Sequence, residues 1–165
     1  MEKKIAMRKI PANLEEMRGM AQFAMEDPFD TAALAVAACT AYESSPAECY
    51  SMLQALMGPA QPMSEYTRQF LRDRLAGNPH VPRSFYEGAV PGNGYVPSAE
   101  CAVTVSDGPY SYNEDGYARL WLKSSGADSP REVVLRHAKD GKWYLWGSIN
   151  FLGGIRQPES ENPWA

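Results

Sequence analysis

The stretch spanning residues 116–149 constrains this chain more than any other. It reads GYARLWLKSSGADSPREVVLRHAKDGKWYLWGSI, strand-like runs joined by turns, and the second turn holds Asp140-Gly141. Asp-Gly between alternating apolar runs is a strong hairpin signal, because a two-residue type I′ turn needs positive φ at both central positions. Such a turn pairs Lys139 with Lys142, His137 with Tyr144 and Leu135 with Trp146. Alternation then puts Val133, Leu135, Tyr144 and Trp146 on one face, and Val134, Arg136, Trp143 and Leu145 on the other. Neither face is wholly polar. The hairpin is therefore expected to be covered on both sides, or to leave one face open as a pocket or partner surface. Residues 117–123 alternate in the same way and form the next strand of an antiparallel meander, preceded by a strand built on Cys101, Val103 and Val105.

Everything before residue 78 reads differently. Residues 3–10 are short and mixed, an edge strand or a lead-in. Asn13 with Glu16 is a capping-box-like start, and Leu14, Met17, Ala21 and Ala24 follow at helical spacing until Pro28. Asp30 is expected to cap a second helix, 31–43, whose sequence TAALAVAACTAY is apolar almost all round and so marks a buried helix. Ser45-Pro46-Ala47-Glu48 opens a third helix that Gly58 ends, and Ser64 opens a fourth that ends near Ala76-Gly77. Tyr66, Phe70, Leu71 and Leu75 are its expected buried side. Glu65, Arg68, Arg72 and Asp73 form a solvated charged side.

Residues 78–98 are rich in proline and glycine but also hold Phe85, Tyr86 and Tyr95, so the connection is expected to be pinned to the surface by its aromatics. The order implies an α+β fold: about four N-terminal helices packed on a C-terminal antiparallel sheet of about four strands that ends in a tryptophan-rich hairpin. One domain over 1–165 is expected, with a helical half at about 12–77, the long loop 78–98, a sheet half 99–150 and a tail 151–165. A chain of this length should bury roughly 70% of its unfolded surface.

Several chemistries find no support. His80 and His137 are the only histidines, and there is no HExxH or CxxC, so no metal site, cofactor or catalytic residue is assigned. No phosphate-binding glycine loop and no GxSxG elbow occurs. The net charge of −4 gives no general attraction to nucleic acid or to an anionic membrane, and the longest apolar run, 32–41, falls far below the ~20 residues that span a bilayer. The N-terminus lacks an apolar signal-peptide core. Cys39, Cys49 and Cys101 read as buried free thiols of a reducing compartment, which implies a soluble cytoplasmic protein.

Two polar segments stand out. Residues 124–131, SSGADSPR, bring hydroxyls, backbone donors and an arginine fork together, which suits either an anion or a self-bonded strand connection. In the second case Asp128 accepts from Ser129 or the backbone, and Arg131 anchors the loop. The closing Asn162-Pro163-Trp164-Ala165 puts a tryptophan where it could dock on the body or reach another subunit.

Taken together, GPAQPMSEYTRQFLRDRLAG (58–77), VPRSFYEGAVPGNGYVPS (81–98), KSSGADSPREVVLRH (123–137), KWYLW (142–146) and the closing NPWA resemble a family of small uncharacterised bacterial proteins, a domain of unknown function. The resemblance covers most of the chain beyond about Asp27 and transfers no catalytic residue. It implies a bacterial, stand-alone protein. Helices followed by a tryptophan-rich hairpin are also similar, at the level of fold, to cone-shaped nuclear-transport-factor-like domains, although those interleave helices and strands differently.

The function itself is not written in the sequence. The leading expectation is a non-enzymatic binding or protein-interaction domain, with a protein partner or a second copy of itself, whose surface is built by Tyr86, Tyr95, Trp143 and Trp164. The alternative is a small-molecule-binding protein or enzyme with a pocket between sheet and helices, lined by Arg131, Asp128, Ser129 and His137.

Overall fold

The computed structural model describes residues 1–164. Helix and sheet are mixed, as the pattern of the sequence implies, but the sheet has five strands in the order β1-β2-β3-β4-β5, all antiparallel neighbours. The added strand is β1 (Glu2–Ala6), which pairs Ile5 with Val103 and Lys3 with Val105 of β2 (Ala102–Ser106). The first strand of a sheet otherwise made by the second half of the chain thus comes from the N-terminal end. β3 (Tyr117–Leu122), β4 (Arg131–His137) and β5 (Trp143–Leu145) follow as a meander.

Local signals explain the helices. α1 (Leu14–Arg18) starts at Asn13, whose side chain accepts from the Glu16 amide, and it stops at Gly19, well before Pro28. Pro28 does not end a helix but begins one. α2 (Pro28–Thr40) is capped by Asp27, whose carboxylate accepts from the Phe29 amide, rather than by Asp30. Proline suits the first helical position because its φ is preset and its missing N–H would have had no partner there. α3 (Pro46–Met57) is capped by Ser45 and α4 (Glu65–Leu75) by Ser64, both as expected. α5 (His80–Arg83) is a short turn within the long connection.

One helix, not four, lies across the sheet. α2 packs against all five strands, α3 reaches β5, and α4 packs on α5. Apart from Asp30, every residue from Phe29 to Cys39 is buried, which accounts for the apolar character all round α2 and for its alanines, which let neighbours approach closely. Its Thr31 hydroxyl donates to the Trp143 carbonyl at 2.7 Å, and the Trp143 amide donates to the Met25 carbonyl at 2.7 Å, so the outer edge of β5 is covered rather than open. On α4, Leu71 and Leu75 are buried and Phe70 is half-buried, but Tyr66 is 81% exposed.

The expected aromatic pinning of 78–98 goes deeper than the surface. Phe85, Tyr86 and Tyr95 all join the core; Tyr86 bridges Val103 and the Glu87 amide donates to the Ala102 carbonyl at 2.7 Å, so the connection pairs with the edge of β2 that β3 leaves free. Cys39 and Cys49 are buried free thiols, and Cys101 is half-buried.

The hairpin register differs by one residue from the two-residue reading. Leu135 pairs with Leu145, Arg136 with Tyr144 and His137 with Trp143. The Ala138 amide donates to the Lys142 carbonyl at 2.9 Å, and the Gly141 amide donates to the Ala138 carbonyl at 3.0 Å. The loop is therefore Lys139-Asp140-Gly141, a tight turn followed by Gly141 at φ +87°, the G1-bulge solution to the same Asp-Gly signal. A one-residue slip moves a whole strand to the other face. Leu145 and Trp143 now share the inner face with Val133 and Leu135, while Tyr144 and Trp146 share the outer face with Val134 and Arg136.

Candidate functional site

That slip builds the site. Tyr144, on the outer face of β5, lies against Gly58, the residue that closes α3. A Cβ placed on Gly58 would stand 2.9 Å from Tyr144 Cδ1, and Gly58 has φ +80° and ψ 169°, a backbone conformation open essentially to glycine alone. Glycine here both turns the chain and lets the tyrosine ring rest on bare backbone.

The loop after Gly58 is held by two glutamines. Gln54 Nε2 donates to the Gly58 and Gln61 carbonyls at 3.0 and 3.1 Å, and its Oε1 accepts from the Met63 amide at 2.6 Å. Gln61 Nε2 donates to the Leu145 carbonyl at 2.8 Å and its Oε1 accepts from the Gly147 amide at 3.0 Å, so its amide pairs with β5 as a further strand would. These bonds stitch the end of α3 to the hairpin and fix the wall between them.

Two clefts flank this wall, and both are lined by Gly58, Pro59 and Tyr144. The first, of about 560 Å³, has Phe23, Met25 and Met63 as apolar lining and carries Arg18, Arg68 and Lys142. The second, of about 540 Å³, has Met57, Pro59, Ala60 and Trp146 as apolar lining and carries Arg136 and Lys139. Both volumes fall in the range of small-ligand sites. Asp140 is the one carboxylate lining either cleft, and it is engaged: it accepts from the Tyr144 hydroxyl at 2.6 Å and from the Lys142 amide at 2.9 Å. Arg68 pairs with Glu65 at 2.9 Å, whereas Arg18, Arg136, Lys139 and Lys142 form no ion pair among the described residues.

The titratable groups follow from these contacts. The hydrogen bond to the Asp140 carboxylate, with some burial, pushes the Tyr144 phenol up to about 12, and the same bond holds the Asp140 carboxyl below the usual aspartate range. Burial, helped by a hydrogen bond with Tyr42, raises the Tyr50 phenol on the wall of the first cleft. Both phenols stay protonated near neutrality and serve as donors, not bases.

The residues singled out from the sequence do not assemble elsewhere. Tyr86 is buried with its hydroxyl 2.9 Å from Thr40 Oγ1, and Tyr95 is buried and donates to the Arg156 carbonyl at 2.6 Å, so neither belongs to an exposed aromatic patch. Trp143 is half-buried and stacks on His137, with ring centroids 4.5 Å apart and planes at 11°. Trp164 is 92% exposed. Arg131 and His137 open and close β4, which separates them by about 20 Å at ~3.3 Å per residue. His137 lines the second cleft but Asp128, Ser129 and Arg131 do not.

The 124–131 connection is instead held from outside. The Ser124 hydroxyl donates to Ser84 Oγ at 2.7 Å, the Ser125 hydroxyl to the Ala89 carbonyl at 2.5 Å, and Arg156 pairs with Asp128 at 2.6 Å. Arg131 spends its guanidinium on the Gly153 and Gly154 carbonyls, with only 3.5 Å contacts to Ser129, rather than anchoring its own loop. Asp128 is 95% exposed, where an ion pair contributes little. Sequence reasoning missed Gln54, Gln61, Tyr144 and the cations around them. His137, which lines the second cleft, and Gly58, as a helix stop, pointed there.

The fold and clefts together define a mixed helix-and-sheet domain with a cationic, aromatic-walled recess beside its closing hairpin. Residues 9–159 match the family model of a domain of unknown function, DUF6935, and the chain belongs to that family. The recess residues, from Leu14 to Trp146, all lie inside the matched region. No curated protein and no solved structure matches the chain, so the expected likeness to nuclear-transport-factor-like domains has no solved structure behind it. Among the described residues no helix is long and apolar enough to cross a membrane, and no group of three or more His, Cys, Asp or Glu could hold a metal ion.

Proposed function

We propose that the chain is a non-enzymatic binding domain whose ligand is a small organic anion with an apolar body, taken up in the recess astride Tyr144. One observation carries this reading. In a chain of net charge −4, the clefts on the two sides of the Tyr144 wall carry Arg18, Arg68 and Lys142 on one side and Arg136 and Lys139 on the other; Asp140, already hydrogen-bonded, is the one carboxylate in their lining, and of the five cations only Arg68 has an ion-pair partner among the described residues, Glu65. Concave, partly apolar walls focus such a field and raise the local concentration of anions. The bonds of Gln54 and Gln61 set the wall before any ligand arrives, which lowers the ordering cost of binding. Tyr50 and Tyr144, held protonated, offer no general base, and the Tyr144 hydroxyl is spent on Asp140.

The alternative from the sequence is a pocket between helices and sheet lined by Arg131, Asp128, Ser129 and His137; of these, His137 lines the second cleft. The anion-site reading goes with a cytoplasmic protein, supported by the free thiols of Cys39 and Cys49, and the negative net charge disfavours nucleic acid; a bacterial origin rests on the sequence resemblance alone. A protein partner is a second reading, favoured by Trp164 at 92% exposure.

The test is a titration of the ¹⁵N-labelled protein with phenyl phosphate and with neutral benzyl alcohol, followed by amide shifts. Phenyl phosphate is expected to move Gly58, Lys142 and Tyr144 in a salt-dependent manner, with benzyl alcohol far weaker. Equal response to both compounds, or response elsewhere, overturns the proposal.

A further inference from the structure

Arg136 occupies an unusual position within the second cleft. Register places it between Tyr117 of β3 and Tyr144 of β5, in one row across three strands. Its guanidinium carbon lies 4.3 Å from the Trp146 ring centroid and 5.4 Å from that of Tyr117, and those two rings meet edge to face at 6.3 Å. Two aromatic rings therefore flank the guanidinium at cation–π distance. Arg136 has no side-chain hydrogen bond or ion pair among the described residues, so its N–H groups are unspent.

The other arginines of these strands are occupied. Arg119 pairs with Glu132 at 3.2 Å, and Arg131 donates to two main-chain carbonyls. Arg136 is the one that is both flanked by aromatic rings and unspent. A guanidinium flanked by two rings loses less freedom on binding than an unsupported one, and its parallel N–H groups match the two oxygens of a carboxylate or phosphoryl group. Lys139 lines the same cleft and adds a point charge, while Met57, Pro59 and Ala60 form an apolar wall opposite.

We infer that Arg136 is the specificity-determining residue of this recess: its ring-flanked guanidinium takes the oxyanion head of the ligand as a two-pronged fork, and the wall from Met57 to Ala60 takes an aromatic or aliphatic body. The inference rests on the reading of the recess as an anion site and names the head group that site selects. A carboxylate and a phosphate monoester share the required geometry. The dianion also draws on Lys139, so the two heads are distinguished by their dependence on that lysine.

The probes are benzoate and phenyl phosphate, titrated by calorimetry into the wild-type chain, Arg136→Lys and Lys139→Gln. Arg136→Lys keeps the charge and removes the fork, and is expected to weaken both probes about tenfold. Lys139→Gln is expected to weaken phenyl phosphate more than benzoate. In the wild-type chain the Arg136 Nε–Hε resonance should shift with either probe, which keeps the inference testable even if a variant folds poorly. Wild-type affinity for both probes with Arg136→Lys unchanged, or an unmoved Nε–Hε resonance, overturns the role of Arg136 and leaves the anion recess standing. Failure of both probes to bind the wild-type chain overturns the recess reading itself.

Discussion

Gly58→Ala tests whether the recess wall is built as described, because one methyl group meets two obstacles there. The first is backbone. At φ +80° and ψ 169° an alanine is strained, at a cost of about 1–3 kcal/mol. The second is contact. The new Cβ would lie 2.9 and 3.0 Å from Tyr144 Cδ1 and Cε1, so the ring must shift. Tyr144 is tethered through its hydroxyl to Asp140 at 2.6 Å, and giving up such a bond costs about 1 kcal/mol more. The expected loss is about 2–4 kcal/mol, and with a urea m-value near 2 kcal/mol per molar it lowers the midpoint by about 1–2 M. Gly77→Ala is the control. Gly77 also has positive φ, +72°, but no atom lies within 4 Å of its would-be Cβ, so only the backbone cost of about 1 kcal/mol remains. The comparison is read by urea denaturation of both variants, with the Tyr144 ring resonances reporting the local shift. Equal midpoints for the two variants would refute the contact between Gly58 and Tyr144, and with it the shared wall of the two clefts.

Two further outcomes follow from the same contacts. Ala37, fully buried in α2, has no room for a larger side chain, so Ala37→Leu should lower stability by about 1–3 kcal/mol in the same urea assay, and an unchanged midpoint would remove α2 from the centre of the core. The Asp140–Tyr144 bond should weaken at both ends of the pH range. The Asp140 carboxyl titrates below its ordinary 3.8, so its stabilisation is present above that value and lost as pH falls through the lower folded value. Tyr144 is raised from 10.0 to about 12, so its share is present below 10.0 and lost as pH rises through about 12. Carboxyl NMR titration should show Asp140 moving back toward 3.8 in Tyr144→Phe, and an unshifted titration there would show that some other group holds it down.

What could be read from the sequence was what neighbouring residues settle among themselves. Ser45 and Ser64 open α3 and α4, Gly58 and Gly77 follow their last turns, and the unbroken apolar run of α2 marks it as buried. Each is a matter of a few consecutive residues competing for backbone hydrogen bonds or for the core. Where two local solutions lay close together, tertiary structure chose. The start of α2, flanked by Asp27 and Asp30, is the exception: a local signal, Pro28 at the first helical position, makes Asp27 the cap. Asp140-Gly141 serves a two-residue or a three-residue loop equally well, and packing of Leu145 with Leu135 against α2 selects the latter. That single step of register carries Tyr144 and Trp146 to the outer face, against Gly58 and Arg136. β1 finds β2 across about a hundred residues, and Tyr86 and Tyr95 leave a proline-rich loop for the core. Asp128 and Arg131, adjacent in a suggestive loop, point to separate partners. The recess belongs to this second class: its cations come from α1, α4 and the hairpin, and only the packed fold brings them together, because no local rule relates residues so far apart along the chain.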